Sequence, residues 1–140
     1  VVTNAKGEPI YELSKFTAFI GEGKHAPDTV HPGLWRQSQL LMLGGLFKVV
    51  DGIYQVRAAD LSNITFIEGP DGVVVIDPLI SEETARYTLD LYYTHGPKRP
   101  VAAVIYSHSH VDHFGGVRGV VSEDDVEKRE GEDFRSGRLP

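Results

Sequence analysis

Cysteine is absent from this 140-residue sequence, and its absence removes several classes of site at once. The chain can form no disulfide, use no thiol nucleophile and bind zinc through no thiolate. The absence does not fix the compartment, because proteins of oxidising compartments can also do without disulfides. A metal site in this chain must therefore use ligands other than thiolates, such as imidazole nitrogens and carboxylate oxygens.

Long apolar runs and an excess of positive charge are also missing. No apolar stretch approaches the roughly 20 residues of a membrane span, and no basic-then-apolar signal segment opens the chain. The first residue is Val1 rather than Met, which leaves room for a leader that was removed or trimmed. We expect a periplasmic or secreted protein, with the cytoplasm as the alternative. The net charge of −6 argues against a nucleic-acid partner held by phosphate contacts.

The apolar pattern predicts mixed helices and strands. Residues 1–33 are rich in Gly, Pro and charge and are predicted to form an irregular arm. Residues 34–47 are apolar enough for a short helix that ends near Gly44–Gly45. Short β-type runs follow, and the last two are apolar enough for burial on both faces. These predicted strands are 53–56, 64–67, 73–76 and 101–106.

A second helix is predicted between the last two strands. Ser81 has the character of its N-cap, and Glu82 and Glu83 fall in the first turn, where the helix dipole favours negative charge. Gly96 and Pro97 end it. The order strand, strand, helix, strand indicates an α/β fold.

The end of the chain is dominated by charge. From Glu123 to Arg135, seven residues are acidic and three are basic among thirteen. Such a run predicts a solvated helix end followed by a loose tail. The domain organisation expected is therefore an arm at 1–33, a folded unit at 34–126 and a charged tail at 127–140.

The chemistry is concentrated directly after the last predicted strand, where the chain reads Ser107-His108-Ser109-His110-Val111-Asp112-His113-Phe114-Gly115-Gly116. Four nitrogen or oxygen donors lie within six residues, a set that suits zinc and related divalent ions. Crowded imidazoles destabilise one another when protonated together, and a bound metal removes that problem. A lone histidine is more often a packing or surface residue, but this cluster predicts a metal site.

The spacing divides the four donors into two pairs. Residues two apart in an extended segment point the same way, so His108 and His110 can reach one metal ion. Asp112 and His113 follow where the chain turns and can point to a second ion. The carboxyl end of a buried strand is a common place for ligands in α/β sheets. The HExxH pattern is absent, which argues against a helix-borne protease site.

Three histidines and one aspartate outside the cluster call for a separate interpretation. His25, His31 and His95 lie in loop-like contexts and are predicted to be surface residues. Asp77 follows a predicted strand and has two interpretations. It is either an ordinary turn carboxylate before Pro78 or an acceptor for a ligating histidine.

The His-x-His-x-Asp-His pattern, continued by Phe-Gly-Gly, resembles the signature of the metallo-β-lactamase superfamily. Blocks between about residue 15 and about residue 126 resemble its alkyl sulfatase branch. These blocks are Ala26-Pro27-Asp28-Thr29-Val30, Gly33-Leu34-Trp35-Arg36-Gln37, Gly45-Leu46-Phe47-Lys48-Val49, Asp60-Leu61-Ser62-Asn63, Val75-Ile76-Asp77-Pro78-Leu79 and Arg99-Pro100-Val101. The resemblance implies the N-terminal half of an αβ/βα sandwich and zinc-dependent hydrolysis of small-molecule alkyl sulfate esters.

The resemblance also assigns roles to individual residues. His108 and His110 would bind the first of two zinc ions, and Asp112 and His113 the second. Asp77 would bind no zinc itself and would accept a hydrogen bond from a ligating histidine. The resemblance identifies no catalytic acid or base in this chain.

The sequence departs from the alkyl sulfatases in its length. Those proteins are several times longer and complete their zinc site with carboxylate and histidine ligands far downstream. Here 27 residues follow His113 and none is histidine, and Glu123 and Asp124 come too soon to serve as substitutes. After Val126 the sequence no longer resembles the family. We therefore interpret the chain as a fragment of a longer hydrolase and expect a homo-oligomer, since its apolar strands lack cover.

Two other functions stay open at this point. One is another hydrolase of the superfamily, such as a lactamase, a thioesterase or a phosphodiesterase, because substrate choice resides in loops that the fold does not determine. The other is a metal-binding fragment without turnover.

Overall fold

A computed structural model describes residues 1–126 of the chain, so the predicted tail at 127–140 lies outside the described residues. The strands are β1 (Val2–Thr3), β2 (Pro9–Tyr11), β3 (Gly45–Val50), β4 (Ile53–Arg57), β5 (Ile64–Glu68), β6 (Val73–Ile76) and β7 (Val101–Ile105). The helices are α1 (Ser14–Ile20), α2 (Pro32–Leu41) and α3 (Glu82–Tyr93), followed by 3₁₀ turns at Val111–His113 and Val117–Gly119. None of the helices described is long and apolar enough to cross a membrane.

A five-stranded sheet in the order β3-β4-β5-β6-β7 forms the centre of the fold. The first three pairs of neighbours are antiparallel, and β6 and β7 are parallel. Parallel neighbours require a crossover connection, which α3 supplies. The carboxyl ends of β6 and β7 therefore meet at one edge of the sheet, where Ile76 pairs with Ile105.

The core lies between this sheet and α3. Phe66 of β5 is fully buried and stacks on Tyr92 of α3, with ring centroids 4.7 Å apart. The Tyr92 hydroxyl donates to Glu68 Oε1 at 2.9 Å, and burial together with this bond raises the pKa of Tyr92 well above its usual range. The ring therefore stays neutral, as its place in an apolar layer requires.

The two parallel strands differ in burial, because β6 lies inside the sheet and β7 forms its edge among the described residues. In β6, Val73 and Val75 are fully buried and the residues between and after them are half-buried. In β7, Ala102, Ala103 and Ile105 are exposed. Burial on both faces, predicted from the apolar runs, is therefore wrong for residues 1–126. The reason is that α3 packs on one side of the sheet, the described elements leave the other side open, and β7 lies at the edge.

The first 50 residues differ from the sequence-based expectation. The segment predicted to be irregular contains the β1–β2 hairpin and α1. The helix predicted at 34–47 ends at Leu41, and residues 45–47 belong to β3 instead. Gly45 has a φ of 135°, a conformation that glycine adopts without a Cβ clash. The chain can therefore turn from α2 into the sheet at this position.

The start of α3 confirms the predicted cap. The Ser81 hydroxyl accepts a hydrogen bond from the Thr84 amide at 3.2 Å. Glu82 and Glu83 lie in the first turn, where the unpaired amides favour negative charge. The loop that follows β7 packs against this helix start.

The loop after β7 packs backbone against backbone on the segment before α3. The Gly116 amide donates to the Leu79 carbonyl at 2.9 Å. A Cβ on Gly116 would lie 2.5 Å from the Ser81 carbonyl oxygen and 2.9 Å from the Ala85 Cβ. Only glycine permits this close approach, which fixes the height of the histidine-rich loop above α3.

We expect Gly116→Ala to lower the free energy of unfolding by about 1–3 kcal/mol, since the added methyl forces backbone to move. Urea denaturation of the 140-residue chain, followed by circular dichroism, measures the change. Gly96→Ala is the matched control, because a Cβ there meets nothing closer than Glu68 Oε1 at 3.8 Å. Equal stability of the two variants would contradict the close packing described.

Candidate metal centre

The structure brings the imidazoles of the predicted cluster together at the carboxyl end of β7. The ring of His108 lies 4.6 Å from that of His110 and 4.0 Å from that of His113, measured between centroids. His108 and His110 are exposed, and the His113 side chain retains 21% of its exposure. The three rings therefore form one accessible group, in which His108 lies nearer to His113 than to His110.

Hydrogen bonds determine which nitrogen of His108 is free. The Ser107 hydroxyl donates to Asp77 Oδ2 at 2.7 Å and also lies 2.9 Å from His108 Nδ1. A hydroxyl has one hydrogen to donate, so Nδ1 of the imidazole must be the donor in the second contact. In the neutral ring this leaves the lone pair on Nε2, the nitrogen available to a metal ion.

Asp77 lies directly behind the cluster. Its Oδ1 accepts the Ser107 amide at 2.7 Å, and its Oδ2 lies 2.8 Å from His113 Nδ1. That nitrogen is within ion-pair distance of the carboxylate, but it is buried and makes no hydrogen bond of ordinary geometry. A carboxylate at this distance favours the proton on Nδ1 and so leaves Nε2 of His113 as the second free imidazole nitrogen.

The electrostatic balance at Asp77 favours the ionised carboxylate. Burial raises the pKa of Asp77, but the bonds from Ser107 and the nearby His113 imidazole outweigh it and lower the pKa below its usual range. The backbone is also unusual, with a φ of 56° in the left-handed region. Non-glycine residues in that region cost conformational energy and tend to occur at functional sites. This geometry favours the supporting role over an ordinary turn carboxylate, and the role itself stays a prediction.

Asp112 and His113 have the separation of two ligands of one zinc ion. Asp112 Oδ2 lies 3.4 Å from His113 Nε2. Two ligand atoms at zinc distance from a tetrahedral ion are about 3.4 Å apart. The pair therefore fits two corners of one coordination tetrahedron.

The described residues supply only part of a coordination shell. Among residues 1–126, no three histidine or acidic side chains are placed to hold one ion together. A catalytic zinc ion usually has three protein ligands. The donor set fits zinc in kind and the Asp112–His113 pair fits it in distance, but further ligands are needed for each ion.

The remaining histidines lie away from the cluster, and their prediction as surface residues is confirmed. His25, His31 and His95 are all exposed. His31 caps α2 instead, since its Nδ1 accepts the Gly33 amide at 3.1 Å. The residue before a proline at the start of a helix could have indicated this role. Sequence reasoning also missed Ser107, whose position directly before the first ligand was the only signal.

The chain can now be classified by its sequence relatives. The profile that describes the metallo-beta-lactamase superfamily matches residues 57–134, more than half of the chain. The protein belongs to this superfamily. The prediction of an α/β fold that forms the N-terminal half of the superfamily's αβ/βα sandwich is confirmed by this match and by a similar solved structure.

Within the superfamily, the sequence is similar to alkylsulfatases. It is 63% identical over 125 residues to a linear primary-alkylsulfatase of Pseudomonas sp., covering 89% of this chain and 18% of that one. It is 54% identical over 103 residues to an alkyl/aryl-sulfatase of Saccharomyces cerevisiae, covering 74% of this chain and 16% of that one. The chain thus spans about a fifth of the length of the relatives it matches.

A solved structure supports the same relationship. The stereoselective inverting sec-alkylsulfatase from Pseudomonas sp. superposes with a TM-score of 0.83 at 49% sequence identity. The match covers 92% of this chain and 20% of that chain. At this similarity the elements that position the histidine cluster share one arrangement in the two proteins.

We expect His108→Ala and His110→Ala each to abolish most zinc binding, because each removes one of the few donors of the cluster. His25→Ala and His95→Ala are the controls and should change binding little. Calorimetric titration of the four variants at neutral pH measures the effect. Similar losses in all four would show that the cluster is not the metal site.

We expect Asp77→Asn to weaken zinc binding by about 10–100-fold, the usual effect of removing the acceptor behind a ligating histidine. The amide keeps the size of the side chain but loses the charge that faces His113. The same titration applies, with the exposed turn residue Asp71 as the control in Asp71→Asn. Unchanged affinity in Asp77→Asn would return this residue to the turn interpretation.

Proposed function

We propose that this chain supplies one half of a dinuclear zinc centre that hydrolyses alkyl sulfate esters to an alcohol and inorganic sulfate. The observation that carries the proposal is the zinc-compatible Asp112–His113 pair beside the histidine cluster. That cluster occurs in a sequence 63% identical to a linear primary-alkylsulfatase. The activity proposed belongs to a protein longer than these 140 residues.

The four proposed ligands form two pairs, one for each ion. His108 and His110 would hold one, and Asp112 and His113 the other. Bound zinc supplies positive charge to ester oxygens and lowers the pKa of a bound water toward neutrality. Asp77 keeps the ring of His113 in the tautomer that presents Nε2, and Ser107 does the same for His108.

Charge at the site suits a sulfate ester. Three of the four proposed ligands are imidazoles and only Asp112 is a carboxylate, so the described ligands would neutralise only part of the charge of two divalent ions. A sulfate monoester carries one negative charge and offers several acceptor oxygens. A divalent ion held there mainly by imidazoles would keep part of its positive charge, which favours an anionic substrate over a neutral one.

We do not assign a substrate pocket to residues 1–126. A cavity of about 250 Å³ lies among Val2, Tyr11, Val56, Leu91 and their neighbours. Its lining includes none of the five predicted site residues. The alcohol portion of the substrate would therefore be bound by chain beyond these residues. The choice among alkyl sulfates, lactams, thioesters and phosphodiesters would be made in that part of the protein.

We expect a longer protein that carries this sequence to release sulfate from a long-chain alkyl sulfate such as dodecyl sulfate. Release should stop with a chelator, return with zinc, and fall by more than 100-fold in His108→Ala. The 140-residue chain should bind zinc weakly and show little release, because its described residues hold each ion by two ligands. Sulfate assay by ion chromatography measures both.

The controls for this experiment are lactam, thioester and phosphodiester substrates. Turnover of one of these with no sulfate release would reject the alkyl sulfatase proposal in favour of another hydrolase. Zinc-dependent sulfate release by the 140-residue chain alone would contradict the incomplete site. Light scattering on the same samples reports whether the chain forms the expected homo-oligomer.

A further inference from the structure

The loop between β4 and β5 contains the block Asp60-Leu61-Ser62-Asn63, to which the mechanism above gives no role. Asp60 is 4% exposed, so its carboxylate is almost completely buried. No Lys, Arg or His among residues 1–126 lies within ion-pair distance of it. Burial of an unpaired carboxylate is costly unless hydrogen bonds replace its water.

Three hydrogen bonds satisfy this carboxylate and connect two parts of the chain. Asp60 Oδ2 accepts the Thr84 hydroxyl at 2.5 Å and the Ile80 amide at 3.2 Å, both at the start of α3. Asp60 Oδ1 accepts the amide of Leu61, the next residue in its own loop. The β4–β5 loop is therefore fastened to the same helix start on which the histidine-rich loop packs.

Two residues further on, Ser62 reaches the metal loop. Its hydroxyl donates to the backbone carbonyl of Asp112, across 50 residues of sequence. The amides of Phe114 and Gly115 both donate to the Val111 carbonyl, at 3.3 and 2.8 Å. These two amides of the 3₁₀ turn therefore do not donate to the Asp112 carbonyl, which accepts from the Ser62 hydroxyl.

We propose that Ser62 is a positioning residue for the Asp112–His113 pair, an inference that rests on the function proposed above. The carbonyl that it holds belongs to the peptide unit joining these two residues. Rotation of that unit would move the Asp112 carboxylate and the His113 ring relative to each other. The 3.4 Å separation of their donor atoms depends on the orientation of this peptide. Ser62 fixes that orientation, and Asp60 fixes Ser62.

The test is zinc titration of the 140-residue chain and of Ser62→Ala, with zinc alone as the probe. We expect Ser62→Ala to bind about 10-fold more weakly, the low end of the effect of losing a partner of a metal ligand. Ser62→Thr keeps the hydroxyl and should bind within about threefold of the unmodified chain. Ser38→Ala is the matched control, because the half-buried Ser38 also donates to a backbone carbonyl, that of Leu34 at 2.9 Å.

A second measurement is made without metal. Loss of the bond to the Asp112 carbonyl should shift the backbone ¹⁵N resonance of His113, and thermal unfolding of Ser62→Ala should match that of Ser38→Ala. An unmodified chain that binds zinc while Ser62→Ala binds it equally well would overturn this inference alone. Equal weakening by Ser62→Ala and Ser38→Ala would also overturn it. No zinc binding by the unmodified chain would overturn the proposed function as well.

Discussion

The candidate site depends on the parallel pairing of β6 and β7. Because α3 returns the chain to the same edge of the sheet, Asp77 at the end of β6 comes beside Ser107 at the end of β7. The Asp77 amide donates to the Ile105 carbonyl at 3.0 Å and so extends the pairing by one residue. An antiparallel pair would have put these two ends at opposite edges, and no carboxylate would lie behind the histidines.

Two buried carboxylates hold the histidine-rich loop from different directions. Asp77 accepts from Ser107 and faces His113, while Asp60 accepts from the start of α3 and positions the loop that carries Ser62. Each carboxylate is stabilised by hydrogen bonds rather than by a lysine or arginine among the described residues. Hydrogen bonds to backbone amides are directional, so both carboxylates restrain geometry as well as charge.

Within residues 1–126, other elements cover only one face of the sheet. Aromatic stacking of Phe66 on Tyr92 closes the α3 side, whereas β7 keeps Ile105 about half exposed. The relatives that share this fold are about five times longer. Their similarity to this chain covers the elements that carry the described donor atoms. The further metal ligands that we propose would therefore lie in chain outside these elements.

Local sequence signals predicted the elements that depend on local chemistry. The Ser81 cap and the strands near 53, 64, 73 and 101 follow from residues close in sequence, and all are present. The arm at 1–33 was not predicted to contain a hairpin and a helix, because its apolar residues are too sparse to show a period. The end of α2 was misplaced because the apolar Leu46 and Phe47 were assigned to the helix, whereas they belong to β3, which begins at the left-handed Gly45.

The sequence by itself determined the kind of chemistry, because a chain without cysteine that places three histidines and an aspartate in six residues has few other uses for them. Tertiary structure alone decided which donors face one another. The tautomer of His108 and the contact of Asp77 with His113 depend on atoms brought together across 30 or more residues of sequence. Pairing of strands and packing of loops set those distances, and no spacing along the chain encodes them.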